Sequence, residues 1–145
     1  MKTMMITAVT LLVVSLTALS NPDEQEKVKE VITMSYVEGI HNLGSLDEVA
    51  KGFHPDFEML INRDGVLTKY PISAWIESMK KSRAANTNQT AEGTDVNFIS
   101  IDVTGNAATA KFELIKGGKV IFTDYMFLYK FGEDWKIVSK IFYRH

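Results

Sequence analysis

The sequence predicts an α+β fold, with three helices early and most of an antiparallel sheet late. Three observations carry this expectation. Apolar residues recur at helical spacing in three separate stretches between Asn21 and Arg83. From Thr94 onward, β-branched and aromatic runs alternate with the turn residues Gly105-Asn106, Gly117-Gly118 and Gly132. The last stretch, Val120 to His145, forms a long hairpin with almost no purely polar face. Strands of that kind need cover on both sides, and the helices must supply one of the covers.

Met1 to Ser20 stands apart from the fold. Lys2 precedes an apolar run from Met4 to Leu19, and Ala18 and Ser20 place small residues at the −3 and −1 positions. The run reads as a signal peptide cleaved before Asn21, because roughly 16 residues are short for a membrane span. Residues 21–145 then make one domain, exported to the periplasm or secreted, with no stable membrane insertion after cleavage.

Asn21-Pro22-Asp23-Glu24 is a helix start, with Asn21 as cap and Glu24 placed to complete a capping box. The helix runs to about Ile40. Val28, Val31, Ile32, Ser35 and Gly39 share a face that Met34, Val37 and Ile40 widen; Asn42 and Gly44 end it. Ser45 to Gly52 is a shorter helix. Phe53 to Phe57 reads as a turn around Pro55, and Glu58 to Lys69 as a short hairpin about Asp64-Gly65. Pro71 to Arg83 is the third helix, with Ile72, Trp75, Ile76 and Met79 in one stripe. A four-stranded antiparallel meander follows. Curved around the first helix, such a sheet makes a cone with a cavity at its open end.

Bulk properties exclude several classes. Net charge is −2, and basic residues cluster only at Lys80, Lys81 and Arg83, read as a solvated helix end, so nucleic acid is not an expected partner. The absence of cysteine excludes disulfides and thiolate chemistry. The three histidines, His41, His54 and His145, lack metal-ligand spacing, so neither a metal nor a cofactor is expected. No Gly-rich phosphate loop or Gly-x-Ser-x-Gly motif occurs.

Gly44-Ser45-Leu46-Asp47, Phe53-His54-Pro55-Asp56 and Gly132-Glu133-Asp134-Trp135-Lys136-Ile137-Val138 resemble landmarks of the nuclear transport factor 2-like (NTF2-like) superfamily. Tyr36 to Gly39 and the Trp-Lys-Ile-Val-Ser-Lys ending are similar to its group named for lumazine binding, close to the SnoaL-like proteins. The resemblance implies a cone, often a dimer through the outer sheet face, and either ligand binding or catalysis. Ketosteroid isomerase members use a carboxylate base, a helix tyrosine and a protonated Asp. Aligned on Gly44, Asp56 and Phe131, these positions fall on Ile61, Val37 and Phe127, none of which moves a proton. Tyr36 is one residue from the expected tyrosine, about 100° around the helix.

The remaining candidates follow from residue type. His54, at the mouth of the first strand, is a general base if the protein is an enzyme, with Tyr36 as donor; otherwise it is a turn histidine. His41 reads as a helix-end cation. Asp124 and Lys140 are the charges most embedded in apolar strands. Pairing Phe131 with Trp135 sets Lys140 opposite Met126, on the face of Asp124. Pairing Phe131 with Lys136 sets it opposite Phe127, beside Tyr125 and Tyr129. The second register is preferred, since the superfamily's pockets draw on those positions. The expected ligand-binding set is Tyr36, His54, Trp75, Tyr125, Phe127, Lys140 and Phe142. The preferred function is binding of a small, partly aromatic or apolar ligand by a homodimer. A SnoaL-like isomerase, dehydratase or cyclase, or a non-catalytic assembly module, is the alternative.

Overall fold

The computed structural model describes residues 21–88, 90 and 92–145; the expected signal peptide, residues 1–20, lies outside them. Helix α1 (Pro22–Val31) begins where the sequence places it, with Asn21 Oδ1 accepting from Asp23 N at 3.2 Å. Glu24 does not close a capping box. It accepts from Lys27 and Lys130, each at 3.0 Å, and from Trp135 Nε1 at 2.7 Å, tying α1 to the terminal hairpin. These donors, Lys27 foremost, hold its carboxyl down to about 2.

The helix continues without a break, but Ile32–His41 is π-wound. Asn42 N donates to Val37 O, five residues back, at 2.9 Å. The wider turn rotates the buried face: Ile32, Ser35, Tyr36 and Val37 are buried, whereas Met34, expected to widen that face, is exposed. The end of this segment is held by Arg83, whose guanidinium donates to Gly39 O at 2.9 Å and Gly44 O at 2.6 Å. The cation complements the negative end of the helix dipole at Gly39 O and ties it to the following loop at Gly44 O, so Arg83 is a structural clamp rather than part of a solvated end. Asn42 fastens the same end to the sheet, accepting from Thr94 N at 2.8 Å and donating to Thr94 O at 3.1 Å.

Helix α2 (Leu46–Gly52), capped by Ser45, leads directly into β1 (Phe53–Arg63). The segment expected to turn around Pro55 is therefore extended, with a register shift between Phe53 and Glu58. A tight turn at Asp64 (φ 51°) and Gly65 (φ 84°) leads to β2 (Val66–Pro71). Helix α3 (Ile72–Ala85) packs Ile72, Trp75, Ile76 and Met79 on the core, as its spacing predicts. Then come β3 (Thr94–Thr104), β4 (Ala107–Lys116), β5 (Lys119–Phe131) and β6 (Asp134–Arg144).

All six strands form one curved, unclosed sheet in the order β2-β1-β6-β5-β4-β3. The sheet is mixed, not wholly antiparallel: β1 runs parallel to β6, with Met59 beside Lys140. This pairing joins segments some eighty residues apart and leaves no local turn to announce it. The β3–β4, β4–β5 and β5–β6 pairings each carry a register shift. Such bulges bend their strands and increase twist, which curls the sheet over the first helix. Its concave face buries Phe57, Phe112, Leu114, Met126, Leu128 and Ile137 against Val28, Ile32, Tyr36 and Val37. The architecture is the expected α+β cone.

Candidate functional site

The terminal hairpin decides what faces the cone. Phe131 pairs with Asp134 across a two-residue turn, neither register the sequence offered. A bulge then inserts Val138 between the Leu128–Ile137 and Phe127–Ser139 pairs. Beyond it Lys140 lies opposite Met126, on the face of Asp124, so the preferred placement opposite Phe127 is corrected. That face is the interior. Asp124, Met126 and Leu128 are buried, while Tyr125, Phe127, Tyr129 and Phe131 point outward. Tyr125 and Phe127, expected in the ligand pocket, therefore belong to the outer face, because strand side chains alternate.

Asp124 and Lys140 meet Tyr36 in a closed ring. Tyr36 OH donates to Asp124 Oδ2 at 2.6 Å, and Lys140 Nζ donates to Tyr36 OH at 2.5 Å. Lys140 Nζ also lies 2.6 Å from Asp124 Oδ1, charge against charge but off-axis for a directed hydrogen bond. All three are almost completely buried, Lys140 at 2% exposure and Asp124 at 0%. Burial brings the Lys140 ammonium down to about 8 against the opposing pull of Asp124. Burial, and then Asp124, push the Tyr36 phenol well up, so it stays a donor. The ring is an internally neutralised polar unit in an apolar setting.

Above it opens a cleft of about 150 Å³. The π-wound segment contributes Tyr36 and His41, β1 Met59, α3 Trp75, β5 Phe122, and β6 Lys140 and Phe142. Lys140 Nζ stands 4.5 Å from the Tyr36 ring centre and 5.0 Å from that of Phe142. Four of the seven residues expected at the site, Tyr36, Trp75, Lys140 and Phe142, thus come together. His54 does not join them. Its Nδ1 accepts from Asp56 N at 3.1 Å, and its ring stacks on Phe131 with centroids 4.8 Å apart. The structure therefore does not assemble the His54–Tyr36 proton-transfer pair.

His41, read in sequence as a helix-end cation, is the residue that reading missed. Five positions after Tyr36, it would sit about 140° away on an α-helix. The π winding instead brings the two rings into edge-to-face contact at 4.7 Å. Its Nε2 is buried and finds no hydrogen-bond partner among the described residues. Burial, with Lys140 and Lys116 nearby, depresses its pKa to about 4, so the imidazole is neutral near pH 7. A larger depression, about 370 Å³, lies between α1, α2 and the β5–β6 turn. Its rim is charged, and Lys27 and Lys51 there already pair with Glu24 and Glu48. The smaller cleft differs from it in having aromatic walls over a buried, internally paired polar ring.

The curved mixed sheet wrapped on a long first helix, with a cleft at its open end, defines an NTF2-like domain. The chain belongs to the family described as "Putative lumazine-binding", whose model matches residues 23–143. Similar crystal structures include an NTF2-like protein of unknown function from Shewanella baltica OS155, 24% identical, TM-score 0.67, covering 86% of this chain and 95% of that one. Another, from Silicibacter pomeroyi DSS-3, is 18% identical with TM-score 0.67 and coverages of 86% and 98%. A third, from Methylobacillus flagellatus KT, is 24% identical with TM-score 0.64 and coverages of 86% and 94%. These likenesses concern the fold. No curated protein matches the sequence significantly. Among the described residues, no helix is long and apolar enough to cross a membrane.

Proposed function

We propose that this chain is an exported binding protein that holds a small, partly aromatic or apolar ligand in the cleft and pairs with a second copy through its outer sheet face. The observation that carries the binding reading is the cleft itself: an apolar space walled by Tyr36, Trp75, Phe122 and Phe142 above one neutralised polar ring. The family's description supports it and makes lumazine, a planar heteroaromatic compound, a first ligand to assay. Export, to the periplasm or beyond, rests on the composition of residues 1–20.

The dimer rests on a different surface. Tyr125, Phe127, Tyr129, Phe131, Ile141 and Tyr143 are exposed along β5 and β6, an aromatic field that water covers poorly. A two-fold axis through the sheet would bury it against itself. An isomerase or cyclase relying on His54 and Tyr36 has no shared site to support it.

Native mass spectrometry of the purified protein tests both parts. The expected spectrum shows a dimer carrying a retained small molecule, and Phe127→Glu converts it to a monomer that still carries the molecule. A bare monomer in the parent protein would contradict the reading.

A further inference from the structure

We infer that the cleft receives the aryl end of an arylalkyl carboxylate, and that the carboxylate stays outside, at Arg144. This rests on the binding reading above and adds the ligand's charge, the position of that charge and a specificity-determining residue.

Inside the cleft a ligand meets carbon. Tyr36 OH and Lys140 Nζ are engaged with each other and with Asp124. His41 Nε2 is covered, and Met59, Phe122 and Phe142 carry no side-chain nitrogen or oxygen. Almost none of the surface that faces the cleft is polar. An ion drawn inside would lose its hydration and gain no partner. An aryl group has nothing polar to lose and packs against Tyr36, Trp75, Phe122 and Phe142. The cleft is partly open, so the rest of the molecule extends into water.

The mouth has a different character. Along β6, Lys140, Phe142 and Arg144 share one face, from the floor of the cleft outward. Arg144 lies opposite Phe122, another wall of the cleft. It is exposed, and it has no ion-pair partner among the described residues. Lys116 brings a second positive charge toward His41, but Glu92 answers it at 3.8 Å. Arg144 is thus the unanswered cation beside the aromatic walls, and its planar fork matches a carboxylate. It stands one two-residue step, about 6.7 Å, beyond Phe142, within reach of a carboxylate tethered to the ring by about three carbons. A carboxylate attached directly to the ring would be pulled into the apolar space instead.

Calorimetric titration of the purified full-length protein, at low salt and neutral pH, tests this with two matched pairs: benzoate against benzyl alcohol, and 4-phenylbutanoate against 4-phenylbutan-1-ol. The short pair is expected to favour the alcohol. The long pair is expected to favour the acid by about fivefold, the scale of one exposed ion pair. Arg144→Gln, a change at an exposed position, should bring 4-phenylbutanoate down to the level of its alcohol and leave the alcohol unchanged. A long acid no tighter than its alcohol, a short pair that also favours the acid, or an Arg144→Gln variant that keeps the acid preference would overturn the assignment, while binding of the alcohols leaves the cleft a receptor. Failure of all four compounds to bind would overturn the binding reading as well.

Discussion

Tyr36, Asp124 and Lys140 are polar groups placed where water does not reach, and each depends on the other two. A buried ion pair adds little net stability, because desolvation offsets much of the attraction, yet removing one partner strands the other. Lys140→Met should therefore lower the unfolding free energy by about 3–5 kcal/mol. Replacing all three with Phe, Leu and Met should recover most of that loss, since no unpaired charge remains. Urea denaturation of the two variants checks this; a Lys140→Met loss near zero would mean that the ring is not buried as described. The sequence marked Asp124 and Lys140 as charges embedded in apolar strands, and Tyr36 as an expected ligand-binding residue. That they form one unit was hidden, because Tyr36 lies 88 residues from Asp124 and 104 from Lys140, and the face of Lys140 depends on a bulge.

Elements show the same division between local and distant causes. The glycine turns, the stripe of α3 and the Asn21 cap are encoded within a few residues, and those parts of the fold were legible. The π winding of Ile32–His41, the Val138 bulge and the parallel β1–β6 pairing depend on what packs against them. They moved Met34 outward, brought His41 to Tyr36 and reversed the faces of Tyr125 and Phe127. Where π-wound helix meets α2, Gly52 leaves room for Ser35: a Cβ on Gly52 would overlap the Ser35 side chain. Gly52→Ala should accordingly cost about 1–3 kcal/mol through overpacking. Adding Ser35→Gly should recover part of it, measured by thermal unfolding of the single and double variants. A neutral Gly52→Ala would show that this junction yields.

At the scale of the whole molecule, one sheet serves two surfaces. Its concave face, with the first helix and α3, makes the core and leaves the aromatic cleft at one end; its convex face carries the exposed aromatic field. The cone was legible because helices and strands segregate along the chain. The cleft's full lining was not, since His41, Met59 and Phe122 reach it only through long-range packing. Binding requires that cleft to admit a small aromatic molecule. Met59 lines it, whereas Met34 is exposed on the first helix. Methyl NMR of the ¹³C-methionine-labelled protein titrated with phenol tests this most directly. The Met59 resonance should move with the ring current of the bound compound and saturate, while Met34 stays in place. A Met59 resonance that remains still, or moves no more than Met34, would contradict the account.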